Sequence, residues 1–248
     1  MTCGLRTLVW VSVLTCGCFR APVPMTQLDY AVNPPAKCLV VLMPGAGSNA
    51  GDFEKEGFVK KLLESGLSLD VIAANATLGY YFKATMVPRL HEDVVGPALQ
   101  KPYEKKWIMG MSMGGFGSLF YAAHYPHEFD GVFALAPWLG DEKLSREIEG
   151  AGGLKKWQAP PTEEFTEANY QRQLWRWLQQ VAEDPSKGPE LWVGWGRDDS
   201  LALSDKLLGD ALPEGHAYLT DGAHEWLPWD VLVERFAKEG PLATACRR

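Results

Sequence analysis

Basic charge is in short supply in this 248-residue chain. Its 24 Lys and Arg residues face 31 Asp and Glu, a balance of -7. Nucleic-acid coats and polybasic membrane patches need the opposite sign, so both are excluded. Cysteine is scarce as well. Of the five, Cys3, Cys16 and Cys18 crowd into the first 20 residues, which leaves Cys38 and Cys246. No C-x-x-C pair occurs, so a disulfide framework and a thiolate metal or redox site are not expected. Cys38 reads as a small buried residue at the head of an apolar strand. Beyond the start, no apolar run reaches the 18 residues of a membrane span. There is no internal repeat. With 46% apolar and 22% charged residues the chain suits a mildly acidic globular protein of one or at most two domains.

Residues 1–20 carry Arg6, Arg20, no acid and a short apolar core from Leu5 to Leu14. That pattern is expected for a signal peptide. Thr15-Cys16-Gly17-Cys18 loosely resembles a bacterial lipid-attachment box, and ordinary cleavage near Ala21 is the alternative. Export is therefore expected, with membrane contact only through an N-terminal lipid anchor. Residues 21–248 then form the folded domain.

The unbroken apolar run Cys38–Met43 reads as a strand buried on both faces, and Leu69–Ala74, Trp107–Met109, Val132–Ala136, Leu191–Trp195 and His216–Leu219 read as further strands. Helical spacing appears over Phe53–Leu63, Arg89–Leu99, Gly114–His124 and Trp229–Lys238. Gln27–Lys37 is Pro-rich and shows no strong period, and Tyr80-Tyr81-Phe82 reads as loop. The alternation predicts an α/β fold with a mostly parallel sheet and helices on both faces. One long interruption, 140–188, holds Trp157, Trp175, Trp177 and a helix over Glu167–Val181. It is too short for a core of its own and reads as a cap-like insertion after the strand that follows the Gly114–His124 helix.

Gly110-Met111-Ser112-Met113-Gly114 joins an apolar strand directly to an apolar helix. A G-x-S-x-G motif gains meaning in that setting. The sharp turn needs small residues two positions either side of Ser112, and it lifts the hydroxyl clear of the sheet. Ser112 is the expected nucleophile. A serine needs a base, and the base needs an acid to hold its tautomer. His124 and His127 lie at the far end of the helix, His91 heads an acidic turn and His216 begins a strand. His224 follows the last strand and is the expected base. Asp199, in Gly196-Arg197-Asp198-Asp199 after the fifth strand, is the first candidate acid, with Asp198 second. The chain order Ser, Asp, His is that of α/β-hydrolases. Gly45-Ala46-Gly47 after the first strand is suited to oxyanion donation; the Met113 and Ala46 N–H groups are the expected donors, with Gly47 nearly equal. The same loop lacks the lysine of a Walker motif and the last glycine of a dinucleotide motif. Histidines and acids are scattered without ligand spacing, so neither metal nor cofactor is expected. Gly47, Tyr80, Trp138 and Trp226 are candidate pocket residues.

Gly110 to Gly117 and Gly222-Ala223-His224-Glu225-Trp226-Leu227-Pro228-Trp229 resemble the Putative esterase family of the α/β-hydrolases, which includes esterase D, feruloyl esterases and mycolyltransferases of the antigen 85 type. G-x-S-M-G-G-x-G falls on 110–117, H-x-W-x-x-W on His224, Trp226 and Trp229, and the family acid of G-x-x-D on Asp199. The resemblance spans about Lys37 to Phe236. It implies an α/β-hydrolase fold and a serine esterase working through an acyl-enzyme, without cofactor; the aromatic residues at the sheet ends, not the resemblance, suit a small or aryl ester. Pro44-Gly45 stands where many relatives have His-Gly. The rival expectations are an acyltransferase on the same triad and an exported, non-catalytic binding lipoprotein.

Overall fold

The computed structural model describes residues 20–31 and 35–247. The expected leader thus falls outside the described residues, apart from Arg20. Seven strands form one sheet: β1 (Gln27–Tyr30), β2 (Cys38–Met43), β3 (Leu69–Ala74), β4 (Lys105–Met111), β5 (Gly131–Leu135), β6 (Glu190–Gly196) and β7 (Ala217–Thr220). Their order is β1-β3-β2-β4-β5-β6-β7. Every pairing is parallel except β1 with β3. The helices are α1 (Asp52–Lys55), α2 (Phe58–Glu64), α3 (Leu78–Phe82), α4 (Met86–Leu90), α5 (Gly96–Ala98), α6 (Met113–His124), α7 (Glu142–Gly150), α8 (Tyr170–Glu183), α9 (Ala202–Gly209), α10 (Trp226–Glu239) and α11 (Pro241–Ala245).

The sheet is covered on both faces, which is why β2, β3 and β5 are buried along their whole length. Strand parity shows how. On β4, Trp107 packs its ring on Phe236 of α10, while Gly110 lies against the Gly114 carbonyl of α6. Residues 107 and 110 point to opposite faces. Met43 pairs with Gly110 and Met111 with Leu135, so the central strands end level. The loops that leave them form one rim, where sites arise in parallel α/β sheets.

All six expected strands are present, and β1 is added at the edge. Its Gln-Leu-Asp-Tyr alternation is that of a half-exposed strand, but four residues between prolines give too short a pattern to read. The expected helix over Phe53–Leu63 is two, α1 and α2, parted at Gly57. The helix over Arg89–Leu99 is instead α4, a π-helical turn at His91–Val95 and α5. Tyr80 to Phe82 lie in a short helix, not a loop. The 140–188 stretch holds α7 and α8, joined by Arg172 donating two hydrogen bonds, of 2.6 and 2.5 Å, to Glu147. That pairing, helped by the Trp157 indole, lowers the Glu147 carboxyl to about 2. All three tryptophans are buried in packing: Trp175 Nε1 donates to the Leu139 carbonyl at 2.8 Å, and Trp157 Nε1 to Glu147 at 3.0 Å.

One expectation is overturned outright. Cys38 is not a lone buried thiol; it is disulfide-bonded to Cys246, 208 residues away. The C-terminal residues return to the start of the sheet: Ser68 N–H donates to the Cys246 carbonyl, and Leu67 bridges to Arg247. No local spacing encodes so distant a pairing.

Candidate active site

Ser112 sits between β4 and α6 with φ 53° and ψ -118°. An L-residue rarely adopts a positive φ, and here it is held by three backbone bonds. Ser112 N–H donates to the Leu135 carbonyl, and its own carbonyl accepts from Phe116 and Trp138. The turn is crowded on both sides. A methyl group on Gly110 would lie 2.1 Å from the Gly114 carbonyl oxygen, and one on Gly114 would lie 2.1 Å from that of Met43. Only glycine fits either place, and the strand–helix turn can close for that reason.

His224 Nε2 lies 2.8 Å from Ser112 Oγ. Its Nδ1 lies 2.9 Å from both carboxylate oxygens of Asp199. The loops that carry these two residues are laced together: Arg197 N–H donates to Thr220 and Asp198 N–H to Gly222. The Asp199 side chain is wholly buried and that of His224 is 28% exposed. Asp199 Oδ1 also accepts the Leu201 N–H at 2.8 Å. Asp198, the second candidate, points into solvent and takes no part in this line. The Trp229 ring stands edge-on to His224, centroids 5.0 Å apart at 88°.

The Gly45 to Ser48 turn abuts Ser112: a methyl group on Gly45 would lie 3.5 Å from Ser112 Cβ. Ser48 N–H closes the turn on the Gly45 carbonyl, and Gly47 takes the φ of 80° that such a turn requires. Ala46 and Gly47 are exposed at its tip. Met113 opens α6, so its N–H has no carbonyl one turn back in the helix.

The pocket candidates divide. Trp138 is half-buried next to Ser112, and its ring meets Phe116 edge-on. Tyr170, from the insertion, meets the same Phe116. Trp226 packs edge-on against Phe53 and Phe58. Tyr80 corrects the expectation. It is fully buried, with its hydroxyl donating to the Pro22 carbonyl at 2.5 Å, so it anchors the N-terminal segment and cannot touch a ligand. Of the other histidines, His91 is engaged with Tyr121, His124 with the Phe120 carbonyl and His216 with the Leu191 carbonyl.

A second acid escaped the sequence reading. Asp205, on α9, is fully buried, and neither of its carboxyl oxygens has a hydrogen-bond partner. Burial, and next the charge of Asp199, push its carboxyl well above the usual carboxylate range. A signal existed: Asp205 sits one turn from Leu201 and Leu208, on the apolar side of a helix that was not identified. Among the described residues no cluster of His, Cys, Asp and Glu could hold a metal ion.

The family model described as Putative esterase matches residues 77–236. The chain belongs to that family. No curated protein matches it in sequence. Solved structures do in fold. Est1E from Butyrivibrio proteoclasticus is 18% identical, with a TM-score of 0.59 over 90% of this chain and 96% of that one. An S-formylglutathione hydrolase from Agrobacterium tumefaciens is 19% identical, with a TM-score of 0.56 over 89% of each chain. The apoenzyme of the S-formylglutathione hydrolase from Staphylococcus aureus is 18% identical, with a TM-score of 0.56 over 82% of this chain and 80% of that one. The architecture is the α/β-hydrolase fold, and family membership makes the chain an esterase-type hydrolase.

Proposed function

We propose that the protein is a serine carboxylic-ester hydrolase working through an acyl-enzyme. The unbroken hydrogen-bonded line from Ser112 through His224 to Asp199 carries this reading. Ser112 Oγ attacks the ester carbonyl carbon as its proton passes to His224 Nε2. Asp199 holds Nδ1 protonated and stabilises the imidazolium that forms. The negative charge on the carbonyl oxygen falls to the backbone N–H groups of Met113 and Ala46, with Gly47 beside them. His224 then returns its proton to the leaving alcohol, activates water by the same route, and the acid is released. No cofactor enters these steps.

For the substrate we infer a small or aryl ester, with Trp138, Phe116 and Tyr170 as the aromatic wall and the insertion as a partial cap. The support is edge-on aromatic packing beside Ser112. Transfer of the acyl group to an alcohol would use the same triad. Ser112→Ala should leave the fold intact and lower turnover of a p-nitrophenyl ester by roughly 10⁶, and it should abolish labelling by a fluorophosphonate probe. Wild-type turnover in a folded alanine variant removes the assignment of Ser112; a wild-type protein that neither turns over esters nor takes the probe leaves the binding-protein reading.

Export remains our reading of the N-terminus. The Cys38–Cys246 disulfide supports it, since such bonds persist in oxidising compartments. Mass spectrometry of the native protein should find a new N-terminus between Cys16 and Pro24, with diacylation of Cys16 or Cys18 marking an anchored form. An intact Met1 on soluble cytoplasmic protein would refute export.

A further inference from the structure

Asp205 has no place in the steps above, yet it is the buried acid nearest to them in the chain. Ionised, it would be a fully buried carboxylate with no protein donor to either oxygen, beside the Asp199 carboxylate. Such an arrangement strongly favours the neutral acid. Leu201 connects the two. Its N–H bonds Asp199 Oδ1 at 2.8 Å, and its carbonyl accepts the Asp205 N–H at 3.2 Å. The same carbonyl accepts the Ser204 hydroxyl at 2.9 Å. Ala202 N–H closes on the Asp199 carbonyl. The backbone that orients the Asp199 carboxylate is thus the first turn of the helix that buries Asp205.

We propose that Asp205 is a positioning residue of the esterase site: buried as the neutral acid, it holds the first turn of α9 in place, and its ionisation as pH rises opens that turn and swings the Asp199 carboxylate away from His224. The Asp205 O–H bond breaks, its proton goes to solvent, and the buried carboxylate must be hydrated. Lys206, Glu149 and Glu190, on α9 and on the α7 and β6 elements packed against it, have other partners. On α9, Lys206 pairs with Asp210. From α7, Glu149 faces those two across a cavity of about 220 Å³. On β6, Glu190 stands at the opposite end of the strand and accepts from Trp192. Asp199 is the charge that acts on Asp205.

The proposal rests on the Ser112, His224 and Asp199 reading, and two separate readouts distinguish their failures. The first is the alkaline limb of kcat/KM for a neutral p-nitrophenyl ester, each protein scaled to its own neutral value. Asp205→Asn matches the acid in shape but cannot ionise, so its fall should begin about one pH unit higher or more. The second is the proton resonance of His224 Nδ1–H, followed by NMR in Ser112→Ala protein, where no turnover is needed. It should show an alkaline step that Asp205→Asn removes. Melting gives a sign check. A carboxyl raised above its ordinary 3.8 favours the folded state fully below that pH and less as pH climbs towards its folded value. Wild type should therefore lose melting temperature relative to Asp205→Asn as pH rises from about 4. Asp205→Leu serves if the asparagine fails to fold. Identical alkaline limbs and an unchanged His224 resonance would overturn the proposal; failure of Ser112→Ala to lose turnover would overturn only the reading beneath it.

Discussion

The two ends of the parallel sheet are held by different kinds of force. At the carboxyl ends of the strands, positions are fixed by hydrogen bonds, close glycine contacts and the unusual backbone of Ser112. At the amino ends, Lys37 and Cys38 both donate to the Ser68 carbonyl, and a covalent bridge ties β2 to the chain's last described turn. Groups that must exchange protons cannot be locked covalently or stripped of polarity. On the proposed mechanism the carboxyl end is the one that reacts, so it is kept in place by many weak bonds, and the amino end can carry the staple. This division matches the general separation of active-site strain from the elements that offset it.

Breaking the polar end should give the largest effect. Asp199→Asn removes the carboxylate that fixes the His224 tautomer and should lower kcat/KM by about 10⁴, by analogy with serine proteases. Asp198→Asn, altering the solvated side chain next to Asp199 in the same loop, should change it little. The reverse ranking in steady-state kinetics would move the acid to Asp198. Breaking the covalent end should act on stability instead. Cys38→Ser with Cys246→Ser should lower unfolding free energy by about 2–5 kcal/mol, read by denaturant melts, while kcat/KM on folded protein stays near wild type. A collapse of kcat/KM without loss of stability would show that the two ends are coupled through the sheet.

Much of this was legible because local chemistry repeats in one dimension. The six expected strands stand out as mostly apolar stretches, the first of them, Cys38–Met43, unbroken. Ser112 stands out because a tight turn needs glycine at 110 and 114, and His224 because the remaining histidines sit on elements that lead elsewhere. Asp199 could be separated from Asp198 only through the family pattern, since both follow the same strand. What escaped has a common physical cause. The Cys38–Cys246 bond, the burial of Tyr80 under Pro22 and the isolation of Asp205 are set by contacts between segments far apart in sequence or by which face of a short helix is covered. β1 is too short to show a period, and on α9 the only signal is the pair Leu201 and Leu208, one turn either side of Asp205. Tyr80 was misplaced because an aromatic residue after a strand looks the same whether it faces a ligand or the core.

The bridge between Cys38 and Cys246 makes nearly the whole domain a closed ring. The stretch over 158–166 has no regular secondary structure and is largely exposed, the sort of segment a protease cuts first. A single scission there opens the ring but releases nothing: Ser112 lies on one fragment, Asp199 and His224 on the other, and the disulfide still joins them. The polypeptide can thus be nicked between Ser112 and the Asp199–His224 pair and remain one molecule.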